Sequence, residues 1–174
     1  MFPQSFPAPP DFPPVARLLA PASECRFCHV ARAVVPRRLD ALAAWNAVMA
    51  QPVPGIALAF RIRDAISARF GVKQIGGFTG ARRETVAAGE RLDFFLIEEV
   101  TPERLLLSER DRHLDVLTCV TATPAPGGTE IAITSSVVTH NRYGRAYMLA
   151  VGPAHRLLVW WMLRRLVRGA AAAH

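Results

Sequence analysis

Residues 141–168 read NRYGRAYMLAVGPAHRLLVWWMLRRLVR, and the reading of this stretch decides the fold. Its apolar residues recur at helical spacing, so the spacing predicts one long C-terminal helix over Asn141–Arg168. Pro153 removes one backbone hydrogen bond and predicts a kink or break there. At about 100° per residue, Gly144, Val151, Leu158, Met162 and Leu166 fall on one arc, with His155 in its middle. An imidazole on an apolar arc has two readings. It is a structural ring satisfied by an adjoining sheet, or it lines a cavity and orients a bound ligand. From 157 to 163 apolar residues surround the helix, which implies burial on more than one side, by a sheet or by a second subunit. Trp160 and Trp161 followed by Arg164, Arg165 and Arg168 have the composition of an interfacial membrane helix. The apolar surround favours core or homodimer contact over peripheral membrane contact.

The residues before this helix supply its partner. A strand is expected at about 27–35, closed by Pro36. Asp40 can cap a short helix in which Leu42, Trp45 and Met49 share a face, ended by Pro52 and Pro54. A second helix opens near Gly55, carries Ile62, Ile66 and Phe70, and stops at Gly71. The glycine-rich stretch 71–89 reads as loop, and Gly76-Gly77-Phe78-Thr79-Gly80 lacks the spacing of a dinucleotide fingerprint. Four strand-like runs follow at about 91–100, 104–109, 113–123 and 129–140. Their short connections favour antiparallel neighbours. The expected fold is α+β. It has two short helices after the first strand and a curved antiparallel sheet wrapped around the C-terminal helix. This is the helix-grip arrangement of START- and Bet v 1-like proteins.

Residues 1–22 hold seven of the 14 prolines and are expected to form an extended arm, laid over the surface through Phe2, Phe6 and Phe12. The domain proper is then 23–169, with 170–174 a disordered tail.

With 174 residues and 51% hydrophobic composition, the chain has enough material for one core. It has no apolar run long enough to span a bilayer and no signal-peptide pattern, so a cytoplasmic location is expected. The net charge is +7, but 20 of the 21 basic residues are scattered arginines without an aromatic-studded basic stripe, so nucleic-acid binding is not expected. Cys25-Arg26-Phe27-Cys28-His29 matches the C-x-x-C-H spacing of haem attachment. A strand there would send Cys25 and Cys28 to opposite faces, which argues for two ordinary cysteines. Neither a metal site nor a cofactor is expected, because Cys119 and the remaining histidines lack ligand spacing.

Other polar candidates collect at strand ends. His113 and Asp115, two apart, would share a strand face. His140, Asn141, Arg142 and Arg145 lie at the last strand–helix junction. These groups could form an acid–base pair or an Arg–Asp bond closing the fold. No Ser or Cys has an identifiable base, so no catalytic residue is assigned.

The segments 109–115, ERDRHLD, and 140–147, HNRYGRAY, together with Pro153-Ala154-His155-Arg156, resemble a bacterial domain family of unknown function. The resemblance covers roughly 25–168, and its most specific parts are E-x-D-x-H-L-D and N-R-x-G-R-x-Y. It implies relation to the helix-grip (SRPBCC) superfamily, which binds apolar ligands between sheet and helix. It also implies that such domains occur C-terminal to NAD(P)-binding, short-chain-dehydrogenase-like domains, for which 174 residues leave no room. The family usually has an aromatic residue before the helix histidine, where this chain has Ala154, which implies a wider pocket. The function expected is binding of a small apolar molecule. The expected site comprises His113, Asp115, Asn141, Arg145, Tyr147, Val151, His155, Leu158 and Met162. The alternatives are a cyclase- or dehydratase-like enzyme using a histidine acid or base, and a dimerisation or protein-interaction module.

Overall fold

The computed structural model describes residues 5–51, 53–69 and 77–171. Phe2, Pro52, Phe70, Gly71 and the end of the tail at 172–174 lie outside them, as do the side chains of Ile62 and Ile66.

Alternating apolar residues in Phe27–Val35 (β3) place Phe27, His29, Ala31, Ala33 and Val35 on one face. This strand pairs antiparallel along its whole length with Gly128–Thr139 (β8), from Phe27↔Val137 to Val35↔Thr129. The sheet continues through Leu114–Ala125 (β7), Arg104–Arg110 (β6), Phe95–Val100 (β5) and Arg91–Leu92 (β4), in the order β3-β8-β7-β6-β5-β4. Every pairing is antiparallel. β7 and β8 turn over Pro126 and Gly127, the latter at φ 85°.

The run expected as one strand over 91–100 is instead two, β4 and β5. Asp93 takes φ 56° and folds the chain back, pairing Leu92 with Phe95. Thr79 stabilises the turn, its N–H and hydroxyl donating to the Asp93 carboxylate at 3.1 and 2.6 Å. β7 begins at Leu114, so His113 belongs to the bend before it rather than to the strand.

The inner face of the sheet carries the main core, including Val35, Ile97, Leu105, Leu107, Val120, Ile131 and Ile133. Full burial of each such side chain contributes roughly 1.5–3 kcal/mol. Two of the three helices pack on it. Ala41–Met49 (α1) is capped by Asp40, whose carboxylate accepts from Ala43 N–H at 2.7 Å. It buries Ala41, Ala44, Trp45 and Val48, with Leu42 and Met49 partly covered. Ile56–Arg69 (α2) follows Gly55 at φ 77°. Arg142–Ala171 (α3) lies across β3 and β8 and meets α1. A bent β-surface holding a terminal helix is the helix-grip architecture.

α3 is not broken at Pro153. Pro153 and Leu149, whose carbonyl loses its partner, both sit on the exposed side of the helix, where water can replace the missing bond. The helix also runs past 169, taking in Ala170 and Ala171, since alanine strongly favours helix. Burial on several sides holds only in part. Val159, Met162 and Leu163 are buried, but Leu157 is 64% and Trp160 47% exposed.

The arm covers the outer face of the sheet. Phe6–Pro7 (β1) and Arg17–Leu18 (β2) pair with each other, while Ala16 packs on Leu106, Leu117 and Cys119. Phe12 contributes partly, but the fully buried anchors are Ala16 and Leu18. Leu19 N–H donates to Ser136 Oγ at 2.9 Å.

Candidate functional site

A void of about 390 Å³ lies between the inner face of the sheet, α1, α2 and α3. Six residues expected in the site line it: His113, Tyr147, Val151, His155, Leu158 and Met162. Asp115, Asn141 and Arg145 do not. They stand at the junction that closes the fold beside it.

That junction explains both sequence motifs. Between β6 and β7 the chain turns through 111–113, with Asp111 N–H donating to Leu114 O at 3.0 Å. The start of α3 clasps this turn. His140 N–H donates to His113 O at 2.9 Å, and Asn141 Nδ2 donates to Arg112 O at 3.1 Å. Asn141 Oδ1 accepts from Gly144 N–H at 2.9 Å, an N-cap bond. Asn141→Ala removes both side-chain bonds and is expected to lower stability by about 1 kcal/mol in urea denaturation, as lost caps do. The rings of Tyr143 and Tyr147 stand 5.3 and 5.4 Å from that of His113.

The expected pairing of His113 with Asp115 does not form. His113 turns inward from the bend, 1% exposed, with its Nδ1 3.4 Å from Asp111 Oδ2. Asp115 shares the outer face with Leu117 and Cys119, and there His140 Nε2 lies 3.2 Å from its carboxylate. Alternation thus puts Asp115 on the opposite side of the sheet from the void. The alternative of an Arg–Asp bond fails too, since Asp115 pairs with His140 and Arg145 is exposed.

His155 is satisfied by the sheet and also lines the void. Its Nε2 shares a 3.1 Å hydrogen bond with Ser135 Oγ on β8, and both residues line the void. Phe27 packs edge-on against the ring at 5.7 Å, and His29 at 6.2 Å. Burial, aided by His29, lowers the His155 pKa to about 4. His29 is lowered as well, by burial and then by the Arg156 guanidinium.

Six further aromatic side chains in the wall were not anticipated. Phe27, Trp45, Phe60, Phe78, Phe94 and Phe95 all contribute. Ring centroids lie 4.3 Å apart for Phe94–Phe95, 5.1 Å for Phe78–Phe94 and 5.4 Å for Phe60–Phe78. The Phe94-Phe95 doublet was the available signal, but only the Asp93 turn aims both rings at one space. Glu109, 9% exposed and 3.3 Å from Arg91 Nη1, is a further polar liner.

The two cysteines of C-x-x-C-H are free thiols. Cys28 lies on the outer side of β3, with burial pushing its pKa up to about 11, while His29 faces inward toward Phe27 and His155. Thiol and imidazole therefore cannot serve one ligand. Among the described residues no group of three or more His, Cys, Asp or Glu is arranged to hold a metal. Nor is any described helix long and apolar enough to cross a membrane.

The profile of a family described as "Protein of unknown function (DUF2867)" matches residues 21–162. The chain belongs to the DUF2867 family. The matched span holds both motifs at the junction and every described lining residue of the void. Among solved structures, this DUF2867 protein is similar to an uncharacterized protein from Rhizobium leguminosarum. The two share 16% identity at a TM-score of 0.37, over 79% of this chain and 94% of that one. It is also similar to a protein from Chromobacterium violaceum, with 14% identity, a TM-score of 0.41, and coverage of 83% and 95%. No curated protein matches it.

Proposed function

We propose that this protein binds one small apolar molecule in the void between sheet and C-terminal helix. The observation carrying the proposal is the void itself, about 390 Å³ walled largely by aromatic and aliphatic side chains. Protein interiors are packed to crystal-like density. Open in part to water, an apolar wall of this size stays wetted unless something fills the space, and a bound apolar molecule would remove that cost. The His155–Ser135 pair and the Asp111–His113 turn supply a few fixed polar contacts in an otherwise apolar site, as ligand pockets do. Relation to the START-like, SRPBCC superfamily belongs to the same proposal, supported by the order of strands and helices. So do a cytoplasmic location and the occurrence of such domains beside NAD(P)-binding ones.

The test is mass spectrometry of molecules that co-purify, with titration of the neutral dye N-phenyl-1-naphthylamine. Saturable fluorescence enhancement at one site per chain is expected. Ala154 lines the void, so Ala154→Phe should weaken dye binding at least about tenfold by filling it, without lowering the thermal midpoint. No saturable binding, and no bound molecule, would end the proposal.

A second reading follows from His113 beside Asp111 within the same wall. That pair could move a proton in a dehydration or cyclisation. Turnover of the co-purified molecule, lost in His113→Asn, would establish it. The Ser135–His155 pair is a weaker acyl-transfer candidate, because an imidazole held near pKa 4 is a poor base at neutral pH.

A further inference from the structure

α3 has a second face, turned away from the void. Among the described residues, three of the five exposed large hydrophobic side chains lie on it: Leu149 at 67%, Leu157 at 64% and Trp160 at 47%. Interleaved with them on the same arc are Arg142, Arg145, Arg156, Arg164 and Arg168, all exposed. No Asp or Glu occurs anywhere in Arg142–Ala171. None of these arginines is paired with a carboxylate among the described residues. Arg156 lies over the Phe27 ring, and Arg164 lies over the Trp160 ring at 4.5 Å. Beside the C-terminal half of this face, a groove of about 560 Å³ runs along the edge strand β3. Val34, Trp160, Val167, Arg164 and Arg168 line it, with Arg32, which leans toward Glu130 at 3.9 Å.

We infer that this face of α3 and its groove dock on an anionic lipid surface. Charge complementarity selects the partner. A second copy meeting this face about a two-fold axis would set arginine against arginine. An acidic protein partner would be expected to find its apolar anchors gathered in a central pocket. Here they are strung singly along a helix, with basic residues on both flanks, from Arg142 to Arg168 over about 39 Å. That is the layout of a helix lying in the plane of a bilayer interface, its leucines and indole reaching the acyl boundary and its guanidinium groups among phosphates. The inference does not rest on the ligand proposal, because the void lies on the opposite side of α3.

The experiment is vesicle co-sedimentation of the full chain, with tryptophan emission recorded. It compares phosphatidylcholine alone with phosphatidylcholine containing about one-third phosphatidylglycerol. Binding to the anionic vesicles at least about tenfold stronger is expected, weakening as salt is raised and accompanied by a blue shift. Arg164→Glu with Arg168→Glu should abolish the anionic preference. Leu157→Ser with Trp160→Ser should cut binding several-fold and remove the shift. All four side chains are exposed, so the circular dichroism spectrum should be retained. Equal or absent binding to the two vesicles would overturn the inference. So would binding to polyglutamate with no binding to vesicles, or a stable dimer that shields Leu157 and Trp160.

Discussion

Gly144→Ala is expected to destabilise this protein by about 3 kcal/mol or more, although alanine in a helix normally gains about 1 kcal/mol over glycine. A methyl group at 144 would sit 2.2 Å from the His113 carbonyl oxygen and 3.4 Å from the Thr139 side chain. The carbonyl is backbone in a turn already held by His140 N–H, so it has little freedom to give way. Relief would require the start of α3 to lift off the 111–113 turn. That would strain the Asn141 bonds and the edge-on ring contacts of Tyr143 and Tyr147 with His113. Gly169 is the control. It lies in the same helix with nothing within 4 Å of an added methyl, so Gly169→Ala should stabilise by up to about 1 kcal/mol. Urea denaturation of the two variants should shift the midpoint in opposite directions. If both shifted alike, the clasp between α3 and the turn would not be what holds the helix in place.

The second large effect is acid sensitivity centred on His155. Burial holds its pKa at about 4, against an ordinary value of 6.5. As pH falls, the unfolded chain therefore takes up this proton first. Above 6.5 the group is neutral in both states and costs nothing. Between 6.5 and about 4 stability falls with each step of acidification, and below 4 the loss is complete. For His155 alone the loss is about 2 kcal/mol, less than the full shift implies because the residue is not wholly buried. His29, lowered by burial and Arg156, acts in the same direction. The check is the pH dependence of unfolding free energy for the native protein and for His155→Gln, which keeps a polar group near Ser135. Carboxylates contribute equally to both, so the difference between the curves isolates the imidazole. Parallel curves from pH 7 to 4 would mean that His155 is not held neutral.

The clasp and the imidazole differ in how far they could be read in advance. His155 was visible because helical spacing fixes which residues share an arc, and that arc contains Val151, Leu158 and Met162, all on the void. The N-R-x-G-R-x-Y motif was visible too, but its meaning was not. Gly144 and Asn141 serve a backbone contact with a turn about 30 residues earlier, which no local pattern encodes. The shared face expected for His113 and Asp115 does not form, because strand alternation holds only within the strand and His113 lies in the bend before it. With β7 starting at Leu114, the histidine enters the interior and the aspartate meets His140 outside.

Apart from the split at Asp93 and the two short strands of the arm, local pattern was enough for the elements and their order: a proline-rich arm, a strand, two helices, antiparallel strands and a long basic helix with one apolar arc. These follow from periodicity and from proline and glycine chemistry, which act over a few residues. Tertiary structure alone decided the void and its aromatic wall. Phe27, Trp45, Phe60, Phe78 and Phe95 come from five separated segments, and only the bend at Asp93 and the curvature of the sheet bring them around one space. It also decided that the second face of α3 stays uncovered. Hydrophobicity along a helix says that a side chain prefers to leave water, but not whether anything in the same chain is placed to receive it.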